Sequence, residues 1–384
     1  MTKARDRAWR AFEETEAPAN TVETWRRLSF SSWDIAALRP DDAPELSGFS
    51  ADEAEKVRKA GAELLTLEEA AKRHPGLVEP HLGAPIASAD FRKLELANLA
   101  LWREGVFLRV PKGVRVEEPV HIRFQHDPAR PFSFPRILVI AEEGSKVAVV
   151  EEHAGESSQG TPRSAAFSKA VAGPNSDVSL FYTQELAASA VHFWHQRVEL
   201  GENAKLSHHS VMLGAARHKS ELEVVLGGRG ARSEISGVLL GRGEQFSDPH
   251  PKQLHRAPKT SSDLTFRAAL RDKARSIYTG LIRIERDAPD CEAYQTNKNL
   301  ILSDGARADS TPILEILPDA VSCRHGSTAG PLDERELFYL KTRGIPEAEA
   351  ARMLILGFFD PILSKLPIES LRERLTEKIS REAA

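Results

Sequence analysis

Hydrophobic positions along the chain change their period twice. In the first 75 residues, Trp9 and Phe12, then Trp25 and Leu28, recur three residues apart, and Ala54 to Ala71 is rich in helix formers. That spacing predicts charged amphipathic helices. The Pro- and Gly-bearing stretch from Pro75 to Pro85 is expected to interrupt them. One more short helix is expected over Asp90–Trp102, where Leu94, Ala97 and Leu101 form an apolar stripe. From Val106 the apolar runs become short and β-branched: Val106–Val110, Val120–Phe124, Ile137–Ile140, Val147–Val150, Val178–Tyr182, Leu222–Leu226 and Ile277–Ile284. These are strands by length and composition.

A bend recurs between the strands. Gly144-Ser-Lys-Val147, Asn175-Ser-Asp-Val178, Asn203-Ala-Lys-Leu206, Gly230-Ala-Arg-Ser233, Asp272-Lys-Ala-Arg275 and Asp304-Gly-Ala-Arg307 each place Gly, Asn or Asp where the backbone turns. Most copies lie about 30 residues apart, the spacing of a structural repeat. No helical pattern fills the gaps, so a doubly wound α/β fold is disfavoured. A β-solenoid, whose rungs bury their apolar faces on one another, fits the repeat best. A β-sandwich of hairpin-linked strands remains the competitor.

After Pro331 the helical period returns. Leu337, Phe338 and Leu340 are expected to face inward, with Gly344 ending that helix and Pro346 opening the next. Ala350, Met353, Leu354, Gly357 and Phe358 are expected to form the second helix's buried face, and Leu371, Leu375 and Ile379 that of the last helix. The reading is a mainly β chain in three regions: an N-terminal helical region (1–105), a β core (106–325) and a C-terminal helical subdomain (326–384).

Composition narrows the function classes. Hydrophobic residues make up 41% and charged residues 28% of the 384, as expected for a soluble protein with a sizeable core. A net charge of −4 disfavours nucleic acid as partner. No apolar run is long enough to span a bilayer, and the charged N-terminus lacks a signal-peptide core, so no membrane partner and a cytoplasmic location are expected. The two cysteines, Cys291 and Cys323, make no disulfide framework.

Candidate chemistry is sparse. Cys323 and His325 offer a thiol and an imidazole two residues apart, both suited to iron or zinc. A single-chain site needs three or four ligands, so His325 as a ligand would require others from a second subunit. His208 and His209 would point to opposite faces of a strand and cannot chelate one ion. His250 and His255 flank prolines in an expected loop, and Glu151, Glu152 and His153 show no evident partner. Gln295, Asn297 and Asn299 alternate on one face of a strand and suit a structural amide ladder between rungs. Gly227-Gly-Arg-Gly-Ala-Arg-Ser233 lacks the Gly-Lys-Ser/Thr ending of a phosphate loop. A carbohydrate-active solenoid enzyme or binding protein stays open as an alternative on these grounds.

Four ordered blocks carry more information than any of these: Asp290-Cys-Glu-Ala-Tyr-Gln295-Thr-Asn297-Lys-Asn299-Leu-Ile-Leu302, Thr311-Pro-Ile-Leu-Glu-Ile316, Cys323-Arg-His-Gly-Ser-Thr328 and Leu337-Phe-Tyr-Leu-Lys-Thr-Arg343-Gly344-Ile345-Pro346. With Ala8-Trp9, Glu23-Thr-Trp25, Phe107–Val114, Pro135–Gly144 and Glu151–Gly155, they resemble the SufB/SufD family of iron–sulfur cluster assembly scaffold proteins, its SufD branch most. The resemblance implies a right-handed parallel β-helix core flanked by N- and C-terminal α-helical subdomains. It implies a non-catalytic subunit of a SufBCD-type complex, coupling a partner ATPase to cluster building or iron acquisition. A SufB-like paralogue would pair with the end of the β-helix, and a SufC-like ABC ATPase would dock on the C-terminal helices. On the matching motif positions, the ATPase contact would involve Leu337, Phe338, Tyr339, Arg343, Gly344, Ile345, Pro346 and Phe358, while His325, and more weakly Cys323, would meet the nascent cluster. No stably bound cofactor is implied, only transient iron or an iron–sulfur cluster at the SufB interface. A flavin in the complex and a homodimer of the isolated chain are compatible with the resemblance. Arg324 and Ser327 depart from the family's usual Ser and Ala.

Overall fold

The computed structural model describes residues 2–35, 38–39, 48–83, 86–103, 105–127, 132–155 and 160–383. It is mainly β, with a parallel solenoid of about seven turns between N- and C-terminal helices. Successive strands alternate between two sheets. One contains β2 (Val106–Val110), β5 (Arg136–Ala141), β7 (Arg163–Ala172), β9 (Val191–Leu200), β11 (Arg217–Leu226), β13 (Phe246–His255), β15 (Arg275–Ile284) and β17 (Arg307–Ile316) in that order. The other contains β3 (Val120–Gln125), β6 (Lys146–Ala154), β8 (Asp177–Glu185), β10 (Lys205–Met212), β12 (Arg232–Gly241), β14 (Ser261–Leu270), β16 (Cys291–Ile301) and β18 (Val321–Gly330). Two short strands, β1 (Glu63–Thr66) and β4 (Phe132–Ser133), add to the first sheet, and β1 pairs antiparallel with β2. All pairing inside the coil is parallel and in register.

The repeated bend proves to be two separate columns. Gly144, Asn175, Asn203 and Gly230 have positive φ and each leads into an even-numbered strand, whereas Asp272 leads into β15 on the other side of the coil. The first column continues through Lys259 (φ +59°) and Asp290 (φ +58°). Each of its members donates its backbone N–H to the bend above, as in Gly144 to Pro174 O at 2.8 Å and Lys259 to Pro289 O at 3.0 Å. Lys259 escapes a sequence reading because lysine rarely occupies this left-handed region.

The coil interior is apolar along most of its length, with Val147, Val149, Leu180, Leu206, Ile235, Leu264 and Phe266 facing Val139, Val198, Leu222 and Val224. Several strands escaped sequence reading because their interior positions are small or polar. In β7 they are Ser164, Ala166 and Ser168, and in β13 Ser247, Pro249 and Pro251. His250 and His255 therefore lie in a strand, not a loop. The prolines leave their mark: β13 pairs with β15 at residues 246–247 and 252–255 but not between, as expected where N–H groups are missing.

The N-terminal helices cap one end and one flank. They are α1 (Thr2–Glu14), α2 (Ala51–Lys59), α3 (Leu67–Arg73), α4 (Pro75–Gly83) and α5 (Arg92–Leu101). Pro75 opens a helix instead of breaking one, since a first-turn proline sacrifices no intrahelical hydrogen bond; Pro85 lies outside the described residues. The expected helix from Ala54 to Ala71 is split by β1. Trp25 meets Trp33 and Phe91 edge-on, Trp33 meets Phe193 of β9 edge-on and Phe91 meets it tilted at 31°, and this cluster buries the first sheet's outer face.

Three helices follow the coil: α6 (Glu334–Thr342), α7 (Glu347–Leu363) and α8 (Glu369–Glu382). Leu371, Leu375 and Ile379 are buried as the spacing requires, against the outer face of the second sheet at Val150, Phe181, Val211 and Val238. The α7 face differs from expectation: Ala350, Ile355, Phe359, Ile362 and Leu363 are buried, while Met353 is 45% exposed. In α6 every residue is half-buried or exposed, with Phe338 at 68% and Tyr339 at 56%, because this helix packs on α7 and stands away from the coil. Among the described residues, no helix is long and apolar enough to cross a membrane.

Candidate functional site at the open end of the solenoid

The two ends of the coil are treated differently. At the first, β2 is covered by β1, and β3 is closed off by the N-terminal region: His121 N–H donates to Glu53 (2.8 Å) and Arg123 N–H to Gly48 O (2.7 Å). At the other end, β17 pairs only with β15, and β18 only with β16, among the described residues. Two adjacent ten-residue edge strands therefore present free backbone donors and acceptors, the arrangement that accepts further strands.

The register fixes what this end displays. Cys323, His325 and Ser327 of β18 lie opposite Ala293, Gln295 and Asn297 of β16, on the inward face. His325 is exposed at the rim, and Cys323 is half-buried. Burial, helped by nearby Cys291, pushes the Cys323 thiol up, so it is held protonated. Arg324 points outward over the Tyr294 ring at 5.9 Å.

Beneath this rung lies a polar layer. Gln295, Asn297 and Asn299 are 2%, 1% and 5% exposed. Gln295 Nε2 donates to Tyr278 OH (3.1 Å) and Gly280 O (3.3 Å), and Asn299 Nδ2 donates to Asn297 Oδ1 (2.6 Å) and Thr328 O (3.1 Å). Cys291 contacts Thr260 Oγ1 at 3.0 Å, and His255 bonds Thr260 and Ser262.

The remaining candidates are structural in their surroundings. His208 faces the core, where burial lowers its pKa to about 3, while His209 bonds Ser236 on the opposite side. His250 binds Asp248 at 2.6 Å and lies 3.1 Å from the buried amino group of Lys219. The carboxylates of β6 do have partners. Glu152 is turned outward to His121 and Arg374, both at 2.7 Å. Burial alone would raise its carboxyl, but these partners and Arg123 bring it down to about 2. Glu151 is turned inward and accepts from His153, Trp194 and Ser168. His153 continues to His126 at 3.0 Å, and His192 meets Tyr182 at 3.0 Å. Glu151 and His153 share the phase of Val147 and Val149, a period-two signal that could have marked them as interior. No group of three or more His, Cys, Asp or Glu among the described residues could hold a metal ion.

A second exposed feature is the α6–α7 hairpin. Asp333 caps α6 through Arg335 and Glu336 N–H groups, Gly344 (φ +82°) ends it, and Pro346 opens α7. Phe338, Tyr339 and Met353 project outward there, an apolar patch of the kind that marks an interface. Ion pairs tie the far side of the subdomain to the coil: Arg374 to Glu152 and Glu185, and Lys378 to Glu185.

A family profile described as "SUF system FeS cluster assembly, SufBD core domain" matches residues 124–358, more than half of the chain. The chain belongs to the SufBD core family of iron–sulfur cluster assembly. Among curated relatives it is 31% identical to the iron–sulfur cluster assembly protein SufD of Bacillus subtilis strain 168, over 85% of this chain and 75% of that protein. It is 28% identical to a SufBD family protein of Staphylococcus saprophyticus and 27% to one of Staphylococcus haemolyticus, each over 79% of this chain. It spans 65% of the length of those staphylococcal relatives. The SufBD profile covers both the open end of the coil and the exposed α6.

Proposed function

We propose that this SufBD-family chain is a non-catalytic scaffold of a SufBCD-type complex, with its open coil end as the working end. The observation that carries the reading is the asymmetry of the coil. One end is sealed by its own N-terminal region, while the other exposes His325 and two strands whose outer edges are unpaired among the described residues. A SufB-like paralogue with a matching coil end extends both sheets across the interface. His325 then supplies one neutral imidazole toward iron or a nascent cluster held as cargo, and the paralogue supplies the remaining ligands. Cys323, protonated and half-buried, is a weaker contributor.

The SufC-like ATPase docks on the hairpin where Phe338, Tyr339 and the Arg343–Pro346 turn are exposed. ATP is hydrolysed in that partner. Movement reaches the coil through α7 and α8, whose apolar faces and ion pairs hold them on the second sheet as one body. The chain itself binds no stable cofactor in this account, and a flavin, if the complex carries one, sits outside it.

Co-purification with cognate SufB-like and SufC-like proteins, beside a truncation ending at Gly330, tests the reading. The full chain is expected to recover both partners and the truncation only the SufB-like one. A full chain that recovers neither removes the scaffold assignment.

A further inference from the structure

Gln295 has more capacity than a structural ladder uses. Its amide nitrogen is committed to Tyr278 OH and the Gly280 carbonyl. A carbonyl only accepts, so the nitrogen must face the first sheet and Oε1 must face away. Room for this arrangement depends on residue 280 being glycine: a Cβ there would lie 2.1 Å from Gln295 Nε2 and 2.4 Å from Tyr278 OH. Among the described residues, Gln295 Oε1 has no hydrogen-bond partner although the side chain is 2% exposed. A buried acceptor left unpaired is unfavourable, and such a group calls for an explanation. Its register partner in the last rung is His325. Neighbouring in-register side chains of a parallel sheet stack about 4.8 Å apart, within reach of an imidazole N–H on an amide oxygen.

We propose that Gln295 is a positioning residue for His325. When the imidazole lies over the last rung, one ring N–H donates to Gln295 Oε1. The ring is then held in a single tautomer, with the lone pair of its other nitrogen directed out of the coil toward the cargo metal. This is the orienting task that an outer partner performs for a ligating histidine. The inference rests on the reading of His325 as a cargo ligand and specifies how that ligand is aimed. Tyr278 and Gly280 hold the amide, and Gln295 holds the ring.

The test is nitrogen-15 NMR of the histidine rings in the full-length chain, comparing wild type, Gln295→Leu and Gln295→Glu. Wild type is expected to show one dominant His325 tautomer, which Gln295→Leu converts to a mixture. Gln295→Glu keeps an acceptor and is expected to restore the single tautomer. His74, far away beside Glu63, serves as the control that neither substitution should move. A merely structural role for Gln295 predicts changes spread over several histidines, with no rescue by glutamate. A His325 tautomer left unaltered in the folded Gln295→Leu chain overturns the proposal. Cluster yield of a His325→Ala complex reports separately on the ligand reading: an unaffected yield would sink that reading even if the NMR result held.

Discussion

The false phosphate loop at residues 227–233 sets up a sharp comparison between two adjacent glycines. Neither Gly227 nor Gly228 has a positive φ, so alanine meets no backbone strain at either position. Their surroundings differ. A Cβ on Gly227 would sit 3.5 Å from Leu200 O, an ordinary contact. A Cβ on Gly228 would sit 2.1 Å from both Glu202 N and Gly201 C. Those are backbone atoms of the rung below, with no rotamer to yield, so the two rungs must part by about 1 Å. Overpacking of this kind costs about 1–3 kcal/mol. The separation also strains the Gly228 N–H bond to Leu200 O (2.9 Å), which contributes about 1 kcal/mol. Gly228→Ala should therefore lose about 3 kcal/mol, while Gly227→Ala should stay within about 0.5 kcal/mol or gain slightly from a stiffer unfolded chain. Urea denaturation followed by circular dichroism separates them through the midpoint at constant slope. Equal midpoints for the two variants would refute the claim that rung stacking at this bend admits only glycine.

Two further predictions concern the buried histidines and the left-handed bend at Lys259. Burial holds the pKa of His208 and His218 at about 3 and of His209 and His255 at about 4, so the unfolded chain takes up protons that the folded chain refuses. That stability is fully present above about pH 6.5 and falls as pH drops toward 3–4, by about 2 kcal/mol per histidine at pH 5; calorimetry should find a lower Tm at pH 5 than at pH 7, and equal values would contradict the buried, neutral assignment. At Lys259, φ of +59° costs a lysine about 1–2 kcal/mol, so Lys259→Gly should raise the urea midpoint modestly, whereas a drop would mean the side chain contributes more than the bend's geometry does.

The architecture was legible where chemistry is repeated. The Gly and Asn bends at 144, 175, 203 and 230 announced the coil, and the four-residue spacing of Leu371, Leu375 and Ile379 announced the last helix. What escaped was set by packing rather than by propensity. In α6, Phe338 read as inward-facing with Leu337 and Leu340, yet it is 68% exposed, because sequence cannot reveal that this helix packs chiefly on α7. In β13, Pro249 and Pro251 read as a loop, although the neighbouring rungs hold the segment extended regardless of its missing donors. Glu151 and His153 read as unpartnered since their partners Trp194, Ser168 and His126 come from other turns of the coil. The site was legible only as a motif: Cys323 and His325 stand two apart in the sequence. That they occupy the open end, over an orphaned amide oxygen, is a property of the register.

The measurement closest to the central claim is cluster loading of the complete complex, with His325→Ala compared to wild type. Purified anaerobically with its SufB-like and SufC-like partners, each complex is assayed for iron and acid-labile sulfide. The account predicts that the variant complex assembles with unchanged stoichiometry, since His325 is exposed at the rim, and that its iron and sulfide content falls several-fold. An intact complex with undiminished cluster content would contradict it and remove the open end of the solenoid from the chemistry.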